Sequence, residues 1–227
     1  MVTSVTPQKT IPLRPPKAPN LPVAPTEITQ LYVENLTNVL RLYFNQIDNF
    51  AAPLSTGAGG TYINFPYAAI SSSVTQTATT NTATLLTFNT IDFANGFTVA
   101  SNTNITPTYA GLYNLQFSVQ LQNLANSTED VFIWLRQYTA KTATLADISG
   151  STGLVGMLPR KSAGNPSHDI KGWNYFVSLA AGDYLQIVWS TTDGTNVTIP
   201  FYAASGTPTK PSTQSVVATI QFVSALY

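Results

Sequence analysis

The only histidine, His168, stands between Ser167 and Asp169, which together supply the three side-chain types of a serine-hydrolase triad. A triad works because nucleophile, base and orienting carboxylate converge in space, and three neighbours along one loop do not. No catalytic role is expected of them, and no catalytic residue is expected elsewhere. The same region offers binding chemistry instead. Arg160, Lys161, His168 and Lys171 lie close in sequence and would make a small basic patch for an acidic glycan or for a carboxylate of a neighbouring chain. Phe201 and Tyr202, in a later loop, are placed to stack on a sugar. Set against this is the plainer reading of a solvated loop. The acids of the same half of the chain include no Asp-x-Asp loop, no pair at helical spacing and no opposed pair that points to glycoside hydrolysis. Calcium takes about six to eight oxygens, of which Asn126, Glu129 and Asp130 with nearby carbonyls would supply some. Calcium is therefore a remote option, and neither metal nor cofactor is expected. Cysteine is absent, which removes disulfides, thiolate nucleophiles and sulfur-ligated zinc.

Whatever positions these residues has little charge to work with. Asp, Glu, Lys and Arg make up 9% of the 227 residues, and ten bases cancel ten acids, against roughly a quarter charged in an ordinary soluble domain. Phosphate backbones are bound by clustered, excess Lys and Arg, so no nucleic-acid partner is expected. Solubility falls to Thr, Asn, Ser and Gln. No apolar run approaches the roughly 20 residues that span a bilayer, so no membrane insertion is expected, and Met1 to Lys9 lacks the apolar core of a secretory signal.

Residues 1–26 hold seven of the fifteen prolines, and carry Lys9, Arg14 and Lys17 with no acid. Proline at that density forms neither helix nor interior strand. The segment reads as an extended arm of about 70 to 80 Å at polyproline spacing. Leu13, Leu21 and Val23 would be its apolar pegs, ordered on a partner, and a disordered tail is the alternative. Thr26 is the expected N-cap of a helix over residues 27–50, with Glu27 in its first turn. Ile28, Tyr32, Leu36, Val39, Tyr43, Ile47 and Phe50 follow at gaps of four and three. Val33, Leu40, Leu42 and Phe44 widen the apolar face beyond a two-stranded seam, so the helix needs company on more than one flank, with Leu36, Leu40, Tyr43, Ile47 and Phe50 as packing residues. Residues 51–60 read as a flexible linker. Gly57 and Gly59 have the spacing of the first pair in a dinucleotide fingerprint, but Tyr62 stands where the third glycine would fall, so a hinge is expected.

From residue 61 to 227 the texture is short β-branched and aromatic runs between Gly, Asn, Asp and Pro, with no amphipathic helix among them. That pattern predicts an all-β antiparallel sandwich. The clearest strand is Gly111 to Gln122, where Tyr113, Leu115, Phe117, Val119 and Leu121 alternate with polar residues. Further strands are expected at 62–65, 83–88, 98–99, 131–138, 153–158, 172–179, 184–190 and 215–225. Trp134, Trp173 and Trp189 fall within them as core residues. The 131–135 and 185–189 runs are bulky on both faces, which predicts a core on one side and a loop or partner on the other. Ala181-Gly182-Asp183 and Asp193-Gly194 read as tight turns. Candidate ligand loops are 123–130, 140–150, 161–169 and 191–209.

Three stretches carry a resemblance. Ala110-Gly111-Leu112-Tyr113-Asn114-Leu115-Gln116-Phe117 is similar to the Gly-x-Tyr-x-Phe-x-Phe strand of the complement globular head within the tumour-necrosis-factor superfamily, with Leu115 in place of the first Phe. Leu179-Ala180-Ala181-Gly182-Asp183-Tyr184-Leu185 resembles that family's turn into its penultimate long strand, and Ile220 to Tyr227 its apolar closing strand. The resemblance covers about residues 61–227 and implies a jelly roll of about ten strands that assembles as a homotrimer. A proline-rich arm and a helix ahead of such a head also resemble virion structural proteins of tailed bacteriophages. That implies a non-enzymatic decoration or fibre protein on the particle exterior, with the arm bound to capsid or tail proteins. The alternative it leaves is an adhesin whose head loops bind a host receptor or surface glycan.

Overall fold

The structure of the protein, a computed structural model, describes residues 16–52 and 65–225. The chain falls into two compact units that divide between Asn64 and Phe65.

In the first unit, residues 16–25 adopt no regular secondary structure, and Lys17, Leu21 and Val23 are exposed. Lys9, Leu13 and Arg14 lie outside the described residues. The helix, α1 (Gln30–Ala51), begins three residues later than expected. Its N-cap is Thr29, in extended geometry, whose hydroxyl accepts from the Tyr32 N–H. A cap satisfies one of the orphaned amides of the first turn, and Thr29, unlike Thr26, stands where the helical turns begin. The helix runs through Ala51, so the start of the expected linker is helical, while 53–60 lie outside the described residues. No residue of α1 is buried. Tyr32, Leu36, Val39, Leu40, Tyr43, Ile47 and Phe50 are half-buried along one face, and Glu34, Asn38, Arg41, Asn45 and Asp48 are exposed behind them.

The second unit is an all-β antiparallel sandwich. One sheet orders its strands β4 (Thr90–Asn95), β1 (Tyr67–Ser72), β16 (Val216–Ser224), β7 (Gly111–Asn123) and β11 (Ser167–Leu179), with the short β2 (Gln76–Thr77) and β13 (Val197–Ile199) joined at one end. The other orders β5 (Phe97–Ala100), β6 (Asn104–Pro107), β12 (Tyr184–Thr191), β8 (Glu129–Thr139) and β10 (Gly153–Met157), with β3 (Thr84–Leu85) on β12 and β9 (Thr144–Asp147) on β8. Four of the pairings are nested: β1 with β16, β6 with β12, β7 with β11, β8 with β10. Nested pairs that alternate between two sheets are one long hairpin rolled up, which is the jelly-roll winding.

Alternation then builds the core. β7 turns Tyr113, Leu115, Phe117, Val119 and Leu121 inward, where they meet Val131, Ile133 and Leu135 of β8 and Leu185, Ile187 and Trp189 of β12 in one buried cluster. Trp189 is wholly buried, and Trp173 is half-buried with its ring stacked on Phe117 at 5.2 Å. Bulky residues on the second face of β12 do not call for a partner chain, because Val188 is already buried within this one. On β8, Phe132 and Trp134 are half-buried.

Several strands depart from the sequence reading. β1, β2, β4, β6, β9, β13, β14 (Ser205–Gly206) and β15 (Thr209–Lys210) lie outside the expected strands, and β11 begins at Ser167 rather than Gly172, so His168 lies in a strand rather than a loop. Of the strand expected at 62–65, only Phe65 is among the described residues, and it is irregular.

The Asp193-Gly194 turn ties β12 to β13. The Asp193 carboxylate accepts from the amides of Thr195 and Asn196 and from the Asn196 side chain. These bonds, the Asn196 side chain first, hold its pKa below the usual carboxylate value. Beside it Gly194 passes so close to the 78–80 segment that a Cβ would stand 2.1 Å from the Ala78 carbonyl oxygen and 2.7 Å from the Thr80 nitrogen. Both are backbone atoms that cannot swing aside. Gly194→Ala is therefore expected to lower unfolding free energy by at least about 2 kcal/mol, read from the urea midpoint at unchanged slope.

Candidate functional site

β7 is the axis around which the candidate site is laid out. Its polar residues face away from the core, and in the same register so do His168, Ile170, Asn174 and Phe176 of β11 and Val217, Thr219 and Gln221 of β16. The strands β1, β7 and β16 contain no Asp, Glu, Lys or Arg at all. The outer face of these three strands is thus uncharged, with amides and hydroxyls along β7, and the two ends of the sheet differ.

At one end the row Tyr67, Gln221, Asn114 and Phe176 crosses the sheet, and the next row begins with Phe93 beside Ala69. Tyr67, Phe93 and Phe176 are 47%, 69% and 63% exposed. This end is apolar at both edges, with Phe93 on the β4 side and Phe176 on the β11 side.

At the other end, about 27 Å along β7 by strand rise, the segment from β13 to β16 folds over the sheet. Tyr202 pairs with Thr213 through two backbone hydrogen bonds, 3.0 and 2.8 Å, and between them the hairpin of β14 (Ser205–Gly206) and β15 (Thr209–Lys210) carries Lys210. The result is an open groove of about 700 Å³ lined by Gln120, His168, Asp169, Ile170, Tyr202, Lys210 and Thr213. The Tyr202 hydroxyl donates to Gln122 Oε1 and lies 3.4 Å from His168 Nδ1, and the two rings meet edge to face at 5.9 Å. Burial holds the Tyr202 phenol above its usual pKa, so it stays protonated. Burial, with the charge of Lys161 second, holds His168 below its usual value, so the imidazole is neutral at neutral pH.

The groove removes the triad on geometric grounds. Successive residues of a strand face opposite sides, so Ser167 and Asp169 turn away from His168. Ser167 Oγ donates to the Leu158 carbonyl at 2.6 Å, and Asp169 pairs with Lys171 at 2.9 Å. Of the residues expected to bind a ligand, His168 and Tyr202 are brought together and Lys161 is near enough for its charge to be felt. Arg160 and Phe201 do not line the groove. The Arg160 amide bonds the Ala125 carbonyl, and the Phe201 amide bonds Thr75 Oγ1. Gln120, Lys210 and Thr213 went unnoticed in the sequence. The polar phase of β7 was the available signal for Gln120; nothing local marks the other two.

Glu129, one of the oxygens considered for calcium, accepts from Ser127 at 2.6 Å and from Thr192 at 2.7 Å. Among the described residues no three of His, Cys, Asp and Glu stand together in a way that would hold a metal ion, and no helix is long and apolar enough to cross a membrane. No family model matches the chain, and no curated protein matches it significantly.

Proposed function

We propose that the chain is a non-enzymatic structural component of a virus particle, a homotrimeric jelly-roll head displayed on the exterior and fastened to capsid or tail proteins by its N-terminal arm. The observation that carries this reading is α1: a 22-residue helix with no buried residue, whose apolar side chains follow a heptad seam. A helix of this kind gains its stability by packing on like helices. The head supplies a second contact of the same sort. Its apolar end has different edges, so Phe93 of one copy would meet Phe176 of the next in a head-to-tail contact, the kind that closes into a ring. The absence of charge from β1, β7 and β16 suits close approach of neighbouring copies. The arm joins three bases and no acid to a remainder that is net −3, since the whole chain is neutral, and so favours an acidic dock. The resemblance to complement-type heads and to tailed-phage virion proteins points the same way.

Light scattering on the full chain is expected to give the mass of three copies, and a single-chain mass refutes the trimer. Deleting residues 1–26 is expected to leave an assembly of three truncated copies while abolishing association with particles. A truncated protein that still decorates particles refutes the anchor.

A further inference from the structure

We propose that the groove at the His168 end of the sandwich binds an acidic saccharide, its carboxylate held by Lys210 and its hydroxyls by Gln120, His168 and Tyr202. The inference goes beyond the structural role and does not depend on it.

Three elements distant in sequence converge here, β7, β11 and the β14–β15 hairpin, and the space they enclose is about 700 Å³, within the usual span of small-ligand sites. Its lining is amide, imidazole, hydroxyl, one ammonium and one carboxylate, that of Asp169, with the Ile170 side chain and the Tyr202 ring as apolar surface. Hydroxyl-rich ligands are recognised by such a mixture, since amides and imidazole both donate and accept and a ring face covers the apolar side of a sugar. The charge selects further. The ion pairs among the described residues are Arg136 with Asp147 and Lys171 with Asp169. The Asp169 carboxylate is thereby matched, while Lys210 has no acidic partner among those residues, and Lys161 adds a second positive charge close by. One unmatched ammonium, beside a polar wall whose single carboxylate is already paired with Lys171, fits one carboxylate on a polyhydroxylated frame. A lysine also holds phosphate as a point charge, but the lining adds no Arg fork to bind it bidentately.

The test is calorimetric titration of the full chain with tetragalacturonate, with neutral cellotetraose and tetraglutamate as comparison probes. Saturable binding of tetragalacturonate is expected, at least tenfold tighter than either comparison probe. Lys210→Gln is expected to weaken it about tenfold, and Tyr202→Phe severalfold. Lys141→Gln, an exposed lysine that does not line the groove, is expected to leave it unchanged. Absence of binding, equal binding of cellotetraose, equal binding of tetraglutamate, or an unchanged affinity in Lys210→Gln each overturns the proposal. Light scattering on Lys210→Gln separates this result from assembly, because the trimer mass is expected to persist whatever the groove does.

Discussion

Alanine in place of Asp183 is expected to lower the unfolding free energy of the head by about 3 kcal/mol, from the loss of charge-assisted hydrogen bonds. Asp183 closes the turn between β11 and β12, where its amide bonds the Ala180 carbonyl and Gly182 takes φ +88°, a conformation that suits glycine. The side chain is 3% exposed although both neighbours in the turn face solvent. Its Oδ1 accepts from the Ala140 amide at 2.8 Å, and its Oδ2 accepts from the Ala180 amide at 3.0 Å and from Gln137 Nε2 at 3.2 Å. One carboxylate thus ties its own turn to the end of β8 and to the β8–β9 connection. Alanine would strand three donors at once. Two of them are amides of exposed alanines, so water recovers part of the loss and the estimate stays below the sum of three buried bonds. Asparagine is not a rescue. Both oxygens accept, so the amide NH₂ would face an N–H donor whichever way it is turned, and a loss of more than half that of alanine is expected. Urea unfolding at fixed chain concentration, followed by tryptophan fluorescence, measures both variants. A loss under about 1 kcal/mol for alanine would show that the carboxylate is dispensable.

Asp183 also shows which parts of the fold could be read before the structure. The Ala-Gly-Asp turn was legible because a glycine at positive φ and an Asx side chain are local chemistry. β7 was legible for a different reason: it is buried on one face along its whole length, so its composition has to alternate. β4 was not, because every residue from Thr90 to Ala94 is exposed and no buried face imposes a period. β1 was missed for the opposite cause. Tyr67-Ala-Ala-Ile-Ser-Ser carries mostly small residues, and its place between β16 and β4 is fixed by pairing on both sides rather than by strand propensity.

The groove was only half legible, and the reason is topological. Pro166 and Ser167 read as loop punctuation, yet β11 must run the full length of β7, thirteen residues against thirteen, which draws His168 into the sheet. Tyr202 then reaches it from 34 residues away, through a segment whose own pairing, Tyr202 with Thr213, is a single bridge. No window along the sequence contains that encounter. The low charge, by contrast, acquires a place. It is not spread evenly over the head, because three of the five long strands of one sheet carry none, and the charges of the other two are Asp92 of β4 and Asp169 and Lys171 of β11.

Leu40→Asp combined with Ile47→Asp is expected to convert the proposed trimer to single chains at micromolar concentration. Leu36, Leu40, Tyr43, Ile47 and Phe50 are spaced four, three, four and three, the a and d positions of a heptad repeat, and Val33 extends the seam by one position toward the N-terminus. Tyr32, Val39 and Phe44 flank it at e and g, and that breadth suits three helices better than two. In a three-helix core the two substitutions would place six carboxylates against one another, and each buried charge costs several kcal/mol even after relaxation. Dissociation by many orders of magnitude follows, since each 1.4 kcal/mol is a factor of ten. The control adds equal charge to the same helix on its exposed face. Asn38→Asp and Asn45→Asp change net charge identically, and the first keeps an acceptor for Arg41, whose Nη2 now bonds Asn38 at 2.8 Å. That variant is expected to remain trimeric. Tryptophan fluorescence, whose three sources Trp134, Trp173 and Trp189 all lie in the head, reports that the head stays folded in both. If the seam variant keeps the mass of three chains, α1 does not assemble the protein, and Phe93→Asp at the apolar end of the head becomes the next substitution to make. If both variants fall apart alike, charge rather than the seam governs association, and the heptad reading of α1 is wrong.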